Sequence, residues 1–459
     1  MLDTRPLRLM PLMGGATRVL LRNHAVNVAW SPDGARVAFH LGDPGDPIFV
    51  ADRDGTNARQ VFTLHAGGHN HFLTWSPDGR WIYFVSGILA RSEMDLWRIA
   101  PAGGTPERLT QNKSDARYIA PLDTRTLLYT APDQDGLGPW LWALDIERKV
   151  SRQVSSGLEK YTSVAASSDG RRLAATLSNP SVSLYSVPIL DRVAEEHDVR
   201  PFPLPTARAL APRFSENSLF YLSSSGEGDG LWRFEDGQAL EIWKGVDGPL
   251  FVPPAVSQDG RRVAIVLKRQ GRRHLHLASA DGAELQLLTN AIDVCGAASW
   301  SPDGKWIVTS GDDAQGEGLF KVPVEGGAPV RILKGPAINP VWSPDGALIV
   351  YSGGFTNNKA PLLAVRPDGR PVELPKIGVY PNGERFRFLP NGKGLVYMQG
   401  SNPWQDFWLL DLATKNMKPL THLAGLAAMR TFDITPNGKQ IVFDRLRDNS
   451  DIVLIDLPK

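Results

Sequence analysis

"TWSPDGRWIYF" (residues 74–84) runs an aromatic residue into Ser-Pro-Asp-Gly and out again into a β-forming run. Pro77 presets φ for the second position of a type I turn, Ser76 opens the turn with a hydroxyl that bonds its backbone, and Gly79 closes it without a Cβ. Asp78, in third place, tolerates the bridge region and caps backbone N–H groups. The stretch reads as two strands joined by a tight turn. A second reading competes with it. His69 and His71 stand just upstream, and with Ser76 and Asp78 they make up a set of catalytic residue types. The choice depends on whether the stretch is unique.

It is not unique. "AWSPDGARVAF" surrounds Asp33, "AASSDGRRLAAT" Asp169, "AVSQDGRRVAIV" Asp259, "SWSPDGKWIVT" Asp303 and "VWSPDGALIVY" Asp345. "RFLPNGKGLVY" and "DITPNGKQIVF" repeat it with Asn391 and Asn437, and degenerate copies lie at Asp123 and near Glu216. The ten positions are spaced 42 to 47 residues apart, and a period of that size carried by strands marks propeller blades. A residue found in most blades cannot be a unique nucleophile or acid, so Ser76 and Asp78 are architecture.

Each repeat reads as four strands. One enters the turn and one leaves it. A short aromatic–aliphatic third follows ("DLWRIA", "SLYSVP", "DIVLID"), then a second turn and a fourth strand such as "PERLT" or "LQLLT". The expected fold is all-β, a β-propeller of about ten four-stranded blades. Trp30, Trp75, Trp300 and Trp342, each just before a turn, are expected to wedge between neighbouring blades. "ILDRVAEEHD" (189–198) is the one short helix candidate.

Two arrangements of the blades fit. "PLRLMPL" and "TRVLL" near the start read as third and fourth strands, and the end supplies a first, second and third, so circular closure gives one large ring. The Pro- and charge-rich stretch 188–212 breaks the rhythm and suggests two rings in tandem. Residues 1–204 would then hold four blades plus terminal strands, and residues 205–459 a six-bladed ring. The two-ring division is the preferred expectation.

Together "WSPDGRWIYF", "DLWRIAPAGG" and "PERLT" resemble the TolB-like, WD-type β-propeller repeat, over essentially the whole chain. "QDFWLLDLATKNMKPLT" (405–421) and "NSDIVLIDLPK" (449–459) further resemble the C-terminal propeller tails of bacterial serine/threonine kinases and winged-helix regulators. The resemblance implies a non-catalytic binding or sensing platform for a protein or small ligand, the sensory or interaction tail of a bacterial regulatory protein. It fixes fold better than function. No Gly-rich loop with its lysine, no HRD or DFG set and no helix-turn-helix occurs, so kinase or DNA-binding chemistry is not expected from these residues. A TolB-like partner of envelope complexes is a further reading. The missing signal peptide and missing N-terminal TolB domain count against it.

Composition narrows the classes. Lys plus Arg number 50 and Asp plus Glu 49, so no global field favours nucleic acid. No run of 18 apolar residues occurs, so no membrane insertion is expected. "MLDTRPLRLMPLMGG" lacks a signal-peptide h-region. The compartment stays open, periplasmic if the chain is the tail of a membrane-anchored regulator. The single Cys295 excludes an internal disulfide and Cys-rich zinc sites, and reads as a small buried cysteine.

Ligands of propellers meet the starts of the innermost strands. There the sequence places Asn27, His69, His71, Arg117, Tyr161, Asn339, Arg385 and Arg430 as candidate contacts. Arginine forks among them suit carboxylates and phosphates. His69 and His71, two apart on a strand, share a face and are the candidate ligands of a divalent metal; no other cofactor is implied. Resemblance to propeller lyases with a histidine-bound metal makes a metal-dependent lyase of acidic oligosaccharides the alternative function. No G-x-S-x-G elbow occurs, so serine hydrolysis is not expected.

Overall fold

The turn builds as its residues require. Ser76 Oγ donates to Asp78 Oδ1 (2.6 Å) and accepts the Trp81 N–H (2.9 Å), while Asp78 Oδ1 also accepts the Arg80 N–H (3.1 Å). The same three bonds recur around Asp33, Asp169, Asp259, Asp303 and Asp345. This computed structural model describes residues 6–457 apart from 23, 66, 89–92, 156–159, 225–228, 251, 355–358, 381–382 and 402–403.

In these turns the serine hydroxyl, before any other group, holds the aspartate below its usual pKa. A carboxylate depressed in the folded state stabilises it above the unfolded pKa, and that contribution is lost as pH falls through the folded value. Repeat ten keeps the geometry without charge: Asn437 Oδ1 accepts from Thr435 Oγ1 (2.8 Å) and Lys439 N (3.0 Å). Asp303→Asn should therefore fold like the parent at neutral pH and lose less stability as pH falls below about 4, the unfolded carboxylate's value. Asp303→Ala should lose about 1 kcal/mol at neutral pH. Urea midpoints by tryptophan fluorescence check both; equal acid sensitivity of parent and Asp303→Asn would refute the charge's role.

The chain divides into two compact units, Met1–Asn179 with Ser450–Lys459, and Pro180–Asn449. The first unit holds three four-stranded antiparallel blades, opening with strands Ala25–Trp30, His69–Trp75 and Arg117–Pro121. Before them stands a hairpin, Leu7–Leu9 with Arg18–Leu21, whose leucines pack on Val37, Phe39 and Ala51. After them comes a three-stranded sheet, Lys160–Ala166, Arg172–Ser178 and Ser450–Asp456. The second unit holds six blades. Their ring closes where Leu210–Phe214 lies against Phe432–Ile434, the Phe214 N–H donating to Asp433 Oδ2 at 2.8 Å.

The closure departs from the expected pairing. Repeat by repeat, "SLYSVP" should follow its own second strand, and so should "DIVLID". Instead Ser181–Pro188 pairs along its whole length with Gln440–Arg447, and Ser450–Asp456 with Arg172–Ser178. Repeats four and ten exchange third strands. The six-bladed ring is thus entered and left through one sheet, and its sequence is inserted between two strands of the first unit.

No α-helix occurs among the described residues. Residues 189–198 form a strand bridge, Ala194–Glu195 beside Thr421–His422, and a single 3-10 turn, Glu196–Asp198. Glu196 is held by Arg445 through two bonds of 2.7 and 2.8 Å, and so short a segment has no helical stability of its own.

The wedging tryptophans hold with one exception. Trp75 Nε1 donates to Ala29 O (3.0 Å) and Trp300 Nε1 to Ala255 O (2.8 Å), each in the preceding blade. Trp342, buried, donates to Gly346 O of its own turn (3.2 Å). Trp30 is 41% exposed, because only the Leu7–Leu21 hairpin precedes its blade.

Candidate metal and ligand site

Innermost strands break register at one recurring place. Asn27, Phe72, Tyr118, Ala211 and Asn339 sit there with φ between 47° and 55°. Asparagine is among the few side chains at ease in that left-handed conformation. Asn27 uses it to brace: its Oδ1 accepts the Phe72 N–H of the next blade at 2.8 Å and lies 3.2 Å from His40 Nε2.

His69 and His71 stand just before this break, with rings stacked at 5.5 Å between centroids. Asp46, from the loop "GDPGD" (42–46) of the preceding blade, meets them. Its Oδ2 lies 2.8 Å from His69 Nδ1 and 3.7 Å from His71 Nε2. Fully buried Asn70, between the histidines, fixes that loop by donating to Gly45 O and Asp46 O, both at 3.0 Å. His40, 2% exposed, sits edge-on to His71 at 5.3 Å.

Burial is the main cause that lowers both His40 and His71, the latter to about 4; Asp46 opposes the shift on both, and His40 adds to that of His71. At neutral pH these imidazoles are therefore uncharged, the form that ligates metal. Asp46, His69 and His71 present three donor atoms within 4.8 Å of one another, a set that could hold an ion.

The eight sequence-derived candidates divide between the units. Asn27, His69, His71, Arg117 and Tyr161 belong to the first. Arg117 is 47% exposed, paired with Asp115 at 3.1 Å, and its charge reaches His71. Tyr161 packs on the cluster around Ala120 and Leu128. In the second unit Asn339 is a strut, accepting the Ala297 N–H (2.9 Å) and donating to Gly383 O (3.0 Å). Arg385, 2% exposed, donates to Gln405 Oε1 (2.8 Å) and to Met429 O. Arg430 is exposed, and its backbone N–H is taken by Asp444 Oδ1 at 2.7 Å. Cys295 is half-buried rather than buried, with Arg273 Nη2 3.5 Å from its sulfur. Asp46 escaped the sequence reading, which searched strand starts alone. Its signal was the acidic loop "GDPGD" between the second and third strands of the first repeat.

A model of the WD domain, G-beta repeat, matches residues 287–315, which span strand Asp293–Trp300, its Ser-Pro-Asp-Gly turn and the whole of the next strand, Trp306–Asp313. The repeat is of the WD type. An uncharacterized protein of Agrobacterium fabrum is 35% identical over 107 residues, 23% of this chain; the match spans about a third (35%) of that curated relative's length. Among solved structures, the WD-type propeller is similar to a candidate TolB protein from Agrobacterium tumefaciens (19% identity, TM-score 0.44, 59% of this chain and 99% of that one). It is also similar to TolB from Acinetobacter baumannii (10%, 0.31, 90% and 78%) and to an oligogalacturonate lyase in complex with manganese (15%, 0.32, 88% and 95%). None of these likenesses bears on what this WD-type propeller binds or does. No helix among its described residues is long and apolar enough to cross a membrane.

Proposed function

We propose that the protein is a non-catalytic propeller platform that receives a protein segment or small ligand on its first unit, at the edge formed by Asn27, His69, His71 and Arg117 with Asp46. One observation carries this reading. The repeated Ser and Asp residues are engaged inside turns, whereas this group draws on three neighbouring blades and keeps His69, His71 and Arg117 partly exposed, at 33%, 24% and 47% of their side chains. An arginine beside the uncharged His71 imidazole suits a carboxylate-bearing ligand. Such a platform fits the sensory or interaction tail of a bacterial regulator, periplasmic where that regulator is membrane-anchored.

Calorimetry of the full chain with acidic oligosaccharides and acidic peptides is the test. Saturable binding weakened about tenfold by Arg117→Ala, a charge-assisted hydrogen bond's worth, is the expected result. Absence of binding to both ligand classes, or equal binding by Arg117→Ala, overturns it. The second reading, a metal-dependent lyase of acidic oligosaccharides, is favoured by the convergence of Asp46, His69 and His71 near Arg117. Appearance of unsaturated uronate products would replace the non-catalytic reading with it.

A further inference from the structure

The geometry points to one divalent transition ion of the Zn2+ class bound by Asp46 Oδ2, His69 Nδ1 and His71 Nε2, with a coordination position left open to an anionic ligand. The inference rests on the platform reading only for what the open position receives; the ion's binding stands on geometry alone.

Donors about 2.0–2.2 Å from one tetrahedral ion lie roughly 3–4 Å from each other. The Asp46 oxygen stands 2.8 and 3.7 Å from the two nitrogens, and all three donors fall within 4.8 Å. Small rotations of His69 and His71 bring the three onto one centre, the ion taking the place of the contact between Asp46 Oδ2 and His69 Nδ1. The frame for this is already in place. Strand alternation puts His69 and His71 on one face, Asn70 holds the Asp46 loop by two bonds, and Asp46 takes the left-handed conformation (φ 41°) that carries its carboxylate back over the strand.

Two imidazoles and one carboxylate select a borderline dication. Ca2+ and Mg2+ require more oxygen ligands than this site presents. His40 is not a fourth ligand, because its nitrogens face Asn27 Oδ1 and Leu41 O, both at 3.2 Å. The remaining position opens toward solvent, on the side where the histidines are partly exposed and Asp46 is not (33% and 24% against 9%). A site closed by four protein ligands is structural; three with an open side offer the ion to a ligand.

The test uses the full chain, stripped with a chelator and equilibrated with Zn2+ alone, with metal per chain measured after desalting and Co2+ substitution read by its visible bands. One equivalent is expected in the parent and in His422→Ala, a histidine exposed in the other unit. Asp46→Asn, His69→Ala and His71→Ala should each weaken binding at least about tenfold. Asparagine tolerates the left-handed φ at position 46, so an unchanged metal-free unfolding midpoint in Asp46→Asn separates lost ligation from lost fold. A parent that retains no Zn2+, one that binds only Ca2+ or Mg2+, or an Asp46→Asn variant that binds like the parent overturns the inference. Zn2+ binding without binding of acidic oligosaccharides or peptides leaves this site standing and removes the platform reading. Binding of those ligands undiminished by chelator keeps the platform reading and overturns the part given to the open coordination position.

Discussion

Glu384→Gln should destabilise the six-bladed ring by about 3–5 kcal/mol. Glu384 is 2% exposed, lies between two buried guanidinium groups, and joins three blades. Arg213 of repeat five meets its Oε2, and Arg387 of repeat nine meets its Oε1 at 2.7 Å. Asp433 of repeat ten is 3.9 Å from Arg387. Burial, with Arg387 adding, lowers the pKa of Arg213 well below its usual value. Removing the glutamate charge leaves Arg213 and Arg387 facing each other in a dry interior. Urea or thermal unfolding of the full chain would show the loss in the second unit's transition. Replacing the whole triad (Arg213→Met, Glu384→Leu, Arg387→Met) should restore most of it, because an apolar set of like volume carries no desolvation cost. A Glu384→Gln midpoint within about 0.5 kcal/mol of the parent would mean that the triad does not hold these blades together.

Trp300→Ala should cost about 3–5 kcal/mol, and Trp30→Ala about 1 kcal/mol or less. Both tryptophans precede the same turn and look alike in sequence. Trp300 is 8% exposed, donates to Ala255 O and lies 5.2 Å beneath the Arg262 guanidinium, so its loss opens a cavity between two blades. Trp30 is 41% exposed, and its removal leaves a dent in the surface. Equal losses for the two would refute the wedge as the source of the effect. Paired urea titrations measure them directly.

That contrast marks what could be read in advance. The turn chemistry is local, since Ser, Pro, Asp and Gly each meet a demand of one tight turn, so the blades were legible from the repeat. Strand exchange is not local. "SLYSVP" and "DIVLID" are interchangeable apolar strands, and only ring closure decides which neighbour each takes. Asn27 and Asn339 were correctly placed at the starts of innermost strands, but a left-handed residue there has its amide aimed at the next blade, and bracing takes up its hydrogen bonds. His69 and His71 were legible as a pair sharing one face. Asp46 was not, because its approach depends on how one blade's loop lies over the next blade's first strand.

The exchange of strands has a consequence for synthesis. Residues 181–188 find their partner only when residues 440–447 exist, and residues 172–178 only when 450–456 do. Between 252 and 284 residues separate the paired positions, a gap of tens of seconds at about 5–20 residues per second. Throughout that interval two adjacent strands present unpaired edges to the crowded surroundings of the ribosome. Pro180 between them cannot donate to a foreign strand. Neither unit can complete its last sheet early, and the two are sealed by successive strands, 440–447 and 450–456, nearly at once.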